Sequence, residues 1–265
     1  MGLSGNGVLL ACIDSGVDYA HPDFCAPDGT SRIAILWDQT IPGNPPMGYA
    51  LGSVYTRQQI NEALASSTPE ERFALVPSRD VTGHGTAVLG IAAGNGRSSA
   101  DAAMRGVAPE ATLVVVKLGN PDPADLPRTS QLLQAVDFCV RYALLVERPL
   151  VINLSFGNNY GSHSGDSLLE TYLNAVSNLG QNVICIGAGN EGDTGRHYAG
   201  NLKSDRKSSG QTQTVRATSD PAATSAVSAT ADRAVSVEFQ VGAYESSFSL
   251  QIWKVYGDEI SIELI

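Results

Sequence analysis

Short apolar runs alternate with amphipathic segments through the first two hundred residues of the chain. The apolar runs have the length and composition of strands buried on both faces, and they lie at residues 8–13, 33–37, 112–118, 150–155 and 182–187. Helical periodicity marks segments between them, at 56–66, 85–93, 130–146 and 166–179. Strands that alternate with helices predict an α/β fold, with a mostly parallel sheet flanked by helices.

The pattern changes near residue 205, where Ser, Thr, Ala and Gln become frequent. Residues 235–241 and 248–253 then alternate strictly between apolar and polar side chains, which indicates strands with one face in water and favours an antiparallel sheet. We therefore expect two domains, an α/β core at 1–205 and the start of an antiparallel, jelly-roll-like β domain at 206–265. Residues 260–265 end within such a strand, so we expect the chain to continue.

Composition excludes several classes of function. The chain has 17 basic and 27 acidic residues and a net charge of -10, so it would repel the phosphate backbone of a nucleic acid. No apolar run reaches the roughly 18 residues that span a bilayer, and the first residues lack the order of a signal peptide. The four cysteines, Cys12, Cys25, Cys139 and Cys185, are widely spaced, and we expect them to be buried thiols rather than disulfides.

Three polar residues lie at or beside the carboxyl ends of predicted strands, where open α/β sheets bind ligands. Asp14 follows the first strand, His84 opens a helix, and Asn190 follows the fifth strand in a glycine-rich turn. Each has an ordinary structural explanation by itself, because Asp forms turns, His is often structural and Asn tolerates a left-handed backbone. Their order and their neighbours together favour a catalytic role.

The chemistry that these residue types fit is nucleophilic catalysis by a hydroxyl group. A hydroxyl needs an adjacent base, imidazole exchanges protons near neutral pH, and a carboxylate orients the imidazole. An Asn amide can donate to the oxyanion that develops on the substrate. Asp14, His84 and Asn190 supply three of these four groups, and the hydroxyl nucleophile is the fourth.

Five sequence blocks resemble the subtilisin-like serine proteases, the subtilases. They are Asp-Ser-Gly-Val-Asp from Asp14, Gly-His-Gly-Thr around His84, Gly-Val-Ala-Pro from Gly106, Asn-Leu-Ser-Phe-Gly from Asn153, and Ala-Gly-Asn-Glu-Gly from Ala188. The blocks follow the order of the family. The long spacing between Asp14 and His84, together with the β segment after residue 205, resembles the clostridial Csp-type branch with its inserted jelly roll.

The resemblance implies a serine endopeptidase whose substrate is a peptide or protein. It makes Asp14 the triad acid, His84 the general base and Asn190 the oxyanion-hole donor. It implies that the substrate backbone pairs with an edge segment formed by Ser155, Phe156 and Gly157. The wall of the pocket for the residue before the scissile bond is implied at Gly187, Ala188 and Gly189.

The resemblance implies no organic cofactor, and calcium is the one metal that it raises. Asp23 matches a family position that can bind calcium, but Arg97 in the loop after His84 disfavours a cation there. We therefore expect no metal. The chain carries no signal of its location, and the Csp-type resemblance points to a bacterial intracellular or spore-associated protein.

The chain departs from the family because no Gly-Thr-Ser-Met-Ala-like nucleophile block follows Asn190. The nearest match, at 223–226, lacks the leading glycine, and Gly29-Thr30-Ser31 precedes a strand, which indicates a turn. We expect the nucleophile in a downstream segment and a propeptide upstream. We also expect exposed apolar surface where the downstream segment packs, and a fragment that is inactive without that segment.

Two alternative functions remain open. One is a pseudoprotease that binds peptides without cutting them. The other is a Rossmann-type nucleotide enzyme, which the absence of Gly-x-Gly-x-x-Gly after the first strand argues against.

Overall fold

The computed structural model describes residues 2–120, 128–155, 157, 161–190, 192, 216–217, 237–239, 250–254 and 262. The chain divides into two compact units, Met1–Gly187 and Ala188–Ile265. The first unit contains the predicted α/β core, and the second is described below by itself.

A six-stranded sheet forms the centre of the first unit, in the order β3-β2-β4-β1-β5-β6. Its strands are β1 Leu9–Asp14, β2 Ile33–Asp38, β3 Ser53–Thr56, β4 Thr112–Lys117, β5 Leu150–Leu154 and β6 Asn182–Ile186. All neighbours pair in parallel except β2 and β3, which pair antiparallel. The predicted parallel sheet is confirmed, and β3 is an additional edge strand that its four residues were too few to reveal.

Five helices surround this sheet in the described part of the first unit. They are α1 Arg57–Leu64, α2 Pro69–Leu75, α3 His84–Ala93, α4 Thr129–Leu145 and α5 Leu168–Ser177. Reciprocal capping boxes begin three of them, with Thr56 capping α1, Thr68 capping α2 and Ser167 capping α5. The helix α2 was not predicted from the sequence, because seven residues are too few for a clear apolar face.

The sheet is covered on both faces, which explains why its central strands read as continuous apolar runs. Alternate residues of β1 point to opposite sides: Leu9, Ala11 and Ile13 belong to the cluster that α4 and α5 cover, whereas Leu10 and Cys12 belong to the cluster that α1 and α3 cover. Both clusters are buried. The core therefore fixes β1 in the middle of the sheet, with its carboxyl end at the edge where β4 and β5 also end.

The second unit has two short described strands, β7 Arg216–Ala217 and β8 Glu238–Phe239. They pair in parallel, whereas the alternating pattern favoured antiparallel pairing. Alternation reports that one face of a strand is wet, and it does not fix the direction of the partner strand. Most of 206–265 lies outside the described residues, so the jelly-roll-like domain and the boundary at 205 stay predictions.

Two further expectations can be compared with the described residues. Cys12, Cys25 and Cys139 are buried free thiols as predicted, but Cys185 is exposed, so that part of the prediction was wrong. Cys185 lies on β6, which is the last strand at its end of the described sheet and has no neighbour there to cover it. Among the helices of the described ranges, none has the length and apolar character needed to cross a membrane.

Candidate active site

Asp14 is the last residue of β1 and lies at the centre of the sheet's carboxyl edge. The chain runs from β1 to β2 on one side of this strand and from β4 to β5 on its other side. The crevice beside the end of β1 is therefore a topological switch point. The carboxylate is buried, and its Oδ1 accepts a hydrogen bond of 2.7 Å from the Ser15 amide. The fold thus places a buried acid where open α/β sheets bind ligands.

His84 is the first residue of α3 and lies directly against this acid. Its Nδ1 is 2.7 Å from Asp14 Oδ1, and because a carboxylate only accepts, the ring donates from Nδ1 and presents Nε2 outward. The Asp14 side chain is 4% exposed and the His84 side chain is 56% exposed. The hydrogen bond to Asp14 raises the pKa of His84, and the negative charges of Asp14 and Asp80 add to the effect.

Gly85 allows this close approach of α3 to β1. A Cβ atom at this position would lie 2.1 Å from Gly16 O and 3.1 Å from Asp14 Cβ. The Gly85 amide donates to Ser15 Oγ at 2.9 Å, so the same residue also joins the two segments by a hydrogen bond. The glycine after His84 in the sequence block therefore has a steric explanation.

The predicted substrate segment begins at the carboxyl end of β5. Ser155 follows this strand, and its Oγ accepts a hydrogen bond of 2.9 Å from Asn153 Nδ2. Gly157 is exposed, and Phe156 lies outside the described residues. Gly187 follows the neighbouring strand β6, is exposed, and donates its amide to Leu154 O at 3.0 Å. Both segments therefore end at the same edge of the sheet as Asp14.

The remaining predicted residues belong to the second unit. Ala188, Gly189 and Asn190 open that unit and are exposed, and Gly189 has a φ of +87°. A left-handed backbone at this position favours glycine, which explains its place in the turn. The approach of Asn190 to the Asp14–His84 pair stays a prediction.

The loop near Asp23, where calcium was considered, is held by side chains of the chain itself. Asp23 Oδ1 accepts the Ser98 amide at 2.7 Å. The Arg97 guanidinium donates to Cys25 O at 3.2 Å and also to Ala26 O. Asn95 Nδ2 donates to Cys25 O at 2.7 Å. A positively charged group thus lies against two carbonyl oxygens of this loop.

Sequence reasoning missed one residue of this site, Asp80. Its carboxylate accepts hydrogen bonds from Ser15, beside Asp14, and from Thr86, in the first turn of α3. One signal in the sequence could have revealed it. Asp80 lies four positions before His84, and the N-cap of the helix, Gly83, has no side chain that could accept hydrogen bonds from the first turn.

Comparison with known proteins identifies the class to which this fold and site belong. The profile of the subtilase family matches residues 5–252, and the chain belongs to this family. The match spans the sheet, the Asp14–His84 pair and the Asn190 turn, so the resemblance noted in the sequence is confirmed.

Individual relatives agree with this assignment. The chain is 29% identical to the major intracellular serine protease of Bacillus subtilis, over 72% of this chain and 46% of that protein. It is 27% identical to subtilisin E of the same bacterium, over 73% of this chain and 37% of that protein. The solved structure of the Clostridium perfringens CspB protease is 36% identical, with a TM-score of 0.64, over 73% of this chain and 38% of that chain. The chain therefore spans less than half the length of these relatives.

Proposed function

We propose that this chain supplies the acid, the base and the oxyanion donor of a subtilisin-like serine endopeptidase. The observation that carries the proposal is the hydrogen bond of 2.7 Å between buried Asp14 and exposed His84 at the switch point of the sheet. Membership of the subtilase family supports the reaction class. The substrate class that follows is a peptide or protein.

In the proposed mechanism, Asp14 fixes the ring of His84 so that Nε2 faces the substrate. Nε2 takes the proton of a serine hydroxyl as that oxygen attacks the scissile carbonyl, and returns the proton to the leaving amine. The imidazolium that forms between these steps is stabilised by the Asp14 carboxylate. The same interaction raises the pKa of His84 before any substrate is bound.

The other roles follow from the sequence blocks. Asn190 would donate to the oxyanion of the tetrahedral intermediate. The segment Ser155–Phe156–Gly157 would pair with the substrate backbone as an added strand. Gly187, Ala188 and Gly189 would leave room for the side chain before the scissile bond, because glycine and alanine occupy little space.

The nucleophile is proposed to lie in a downstream segment, because no Gly-Thr-Ser-Met-Ala-like block follows Asn190 in this chain. A downstream segment could pack against the sheet at β6, where the apolar side chains of Val183 and Ile186 are 54% and 57% exposed. We propose that the downstream segment covers this surface and that a propeptide assists folding. This chain alone would then lack hydrolytic activity.

The test uses the complete protein and a serine-directed fluorophosphonate probe. We expect covalent labelling and peptide hydrolysis, both lost in His84→Ala and strongly reduced in Asp14→Asn, because the base and its orienting acid are removed. Glu62→Gln, an exposed change on α1, is the control and should leave labelling unchanged. A complete protein that binds peptide but is never labelled would show a pseudoprotease and contradict the endopeptidase proposal.

We also propose that no calcium ion is bound near Asp23. The Arg97 guanidinium already supplies positive charge to the carbonyls of Cys25 and Ala26, and Asp23 Oδ1 is engaged by Ser98. Over the described part of the chain, no group of three His, Cys, Asp or Glu side chains is placed to hold a metal ion. A guanidinium in the ligand shell opposes a divalent cation by direct charge repulsion.

A further inference from the structure

The first turn of α3 is capped in an unusual way. Its N-cap residue, Gly83, has a φ of +76° and no side chain, yet the amides of a first helical turn need acceptors. The Asp80 carboxylate provides one: its Oδ2 accepts the Thr86 amide at 2.8 Å and the Thr86 hydroxyl at 2.6 Å. Its Oδ1 accepts the Gly83 amide at 3.0 Å. Asp80 thus replaces the missing cap of the helix that begins at His84.

The same carboxylate also holds the segment that carries Asp14. Ser15 Oγ donates to Asp80 Oδ1 at 2.8 Å and accepts the Gly85 amide at 2.9 Å. The Ser15 amide in turn donates to Asp14 Oδ1 at 2.7 Å. A continuous path of hydrogen bonds therefore runs from Asp80 through Ser15 to the acid, and a second runs from Asp80 to the helix of the base.

Asp14 depends on this path because its carboxylate has few other contacts. Its Oδ2 is buried and has no hydrogen-bond partner among the residues that the structure describes. Its Oδ1 accepts hydrogen bonds from the Ser15 amide and the His84 ring. The position of Ser15 thus decides how the carboxylate meets His84.

We propose that Asp80 is a positioning residue: it ties the Ser15 segment to the first turn of α3, so that the Asp14–His84 hydrogen bond is formed before substrate arrives. Asp80 does not touch the substrate or the reacting atoms. The effect on catalysis rests on the proposed protease function, whereas the effect on the Asp14–His84 pair does not.

Electrostatics agree with this assignment. Burial acts to raise the pKa of Asp80, but the hydrogen bonds from Thr86, Ser15 and Gly83 outweigh it and lower that pKa, so the group is charged at neutral pH. Its negative charge adds to that of Asp14 in raising the pKa of His84. A change at Asp80 is therefore visible at His84 without any measurement of hydrolysis.

The test compares Asp80→Asn and Ser15→Ala in the complete protein, with histidine side chains labelled with ¹⁵N. Asn keeps the size of Asp but loses the charge and one acceptor oxygen, and Ser15→Ala cuts the path to Asp14 while leaving Asp80 to cap α3. We expect both variants to lose the downfield, exchange-protected Nδ1–H signal of His84. We expect the pKa of His84 to fall in Asp80→Asn.

Glu170→Gln is the matched control, because Glu170 also caps a helix: its Oε2 accepts the Ser167 amide at 2.9 Å at the start of α5. This variant should leave the Nδ1–H signal and the pKa of His84 unchanged. In the complete protein, Asp80→Asn should reduce kcat about ten- to a hundredfold with little change in KM, the size expected when reacting groups shift by up to an ångström.

An unchanged Nδ1–H signal in both Asp80→Asn and Ser15→Ala would overturn the proposal. If Asp80→Asn does not fold, Ser15→Ala decides by itself, because it retains the helix cap. The two proposals fail separately: loss of the signal in a complete protein that never hydrolyses peptide would support the positioning role and contradict the protease.

Discussion

Gly85→Ala is the substitution that most directly tests how α3 meets β1. In a helix interior, alanine is favoured over glycine by about 0.5–1 kcal/mol, so propensity alone predicts a stabilised protein. Packing predicts the opposite, because the new Cβ would lie 2.1 Å from Gly16 O, which is more than an ångström too close, and 3.1 Å from Asp14 Cβ. The first of these contacts is with backbone, which cannot rotate away.

The two effects can be weighed against each other. Overpacking of a tight site costs about 1–3 kcal/mol, and a backbone contact this short falls at the upper end of that range. After the gain in helix propensity is subtracted, Gly85→Ala should destabilise the first unit by about 2 kcal/mol. The shift of α3 that relieves the contact should also lengthen the hydrogen bond between Asp14 and His84.

Gly90→Ala provides the matched control in the same helix, because a Cβ there would meet nothing within 4 Å. This variant should be more stable than the parent by about 0.5–1 kcal/mol. The assay is urea unfolding followed by the fluorescence of Trp37, which is fully buried, in a Trp253→Phe background that removes the other tryptophan. Equal stability of the Gly85→Ala and Gly90→Ala variants would refute the packing argument.

Four further predictions concern charge, metal binding and burial. Asp14→Asn should lower the pKa of His84, because the hydrogen bond and charge that raise it are weakened; an unchanged NMR titration would contradict this. Arg97→Met should lower the melting temperature by about 2–4 °C for a loss near 1 kcal/mol, whereas exposed Arg105→Met should not. Melting of the parent should be the same in EDTA and in millimolar calcium, since a calcium site at a hundredfold its Kd would add about 5–10 °C. Thiol reagents should modify exposed Cys185 much faster than Cys139, whose pKa is raised by complete burial; equal rates by mass spectrometry would contradict the structure.

The sequence predicted the parts of the fold that depend on local pattern. Runs such as Thr112–Lys117 indicated strands covered on both faces, and the helices α1, α3, α4 and α5 were predicted between such runs. The short elements β3 and α2 escaped, because four and seven residues carry too little periodic signal and their existence depends on neighbours in space. The exposure of Cys185 was missed for the same reason, since an edge strand has the same composition as an inner one.

The sequence by itself also determined the family, because Asp14, His84 and Asn190 lie in blocks whose order and neighbours are specific to one family. Only the tertiary structure decided how Asp14 and His84 meet: it formed their 2.7 Å contact, made Gly85 a steric necessity and brought Asp80 between the two segments. These contacts join residues 65 to 70 positions apart in the chain. Hydrogen bonds across such separations depend on where packed elements place their loops, and no local periodicity in a sequence records that placement.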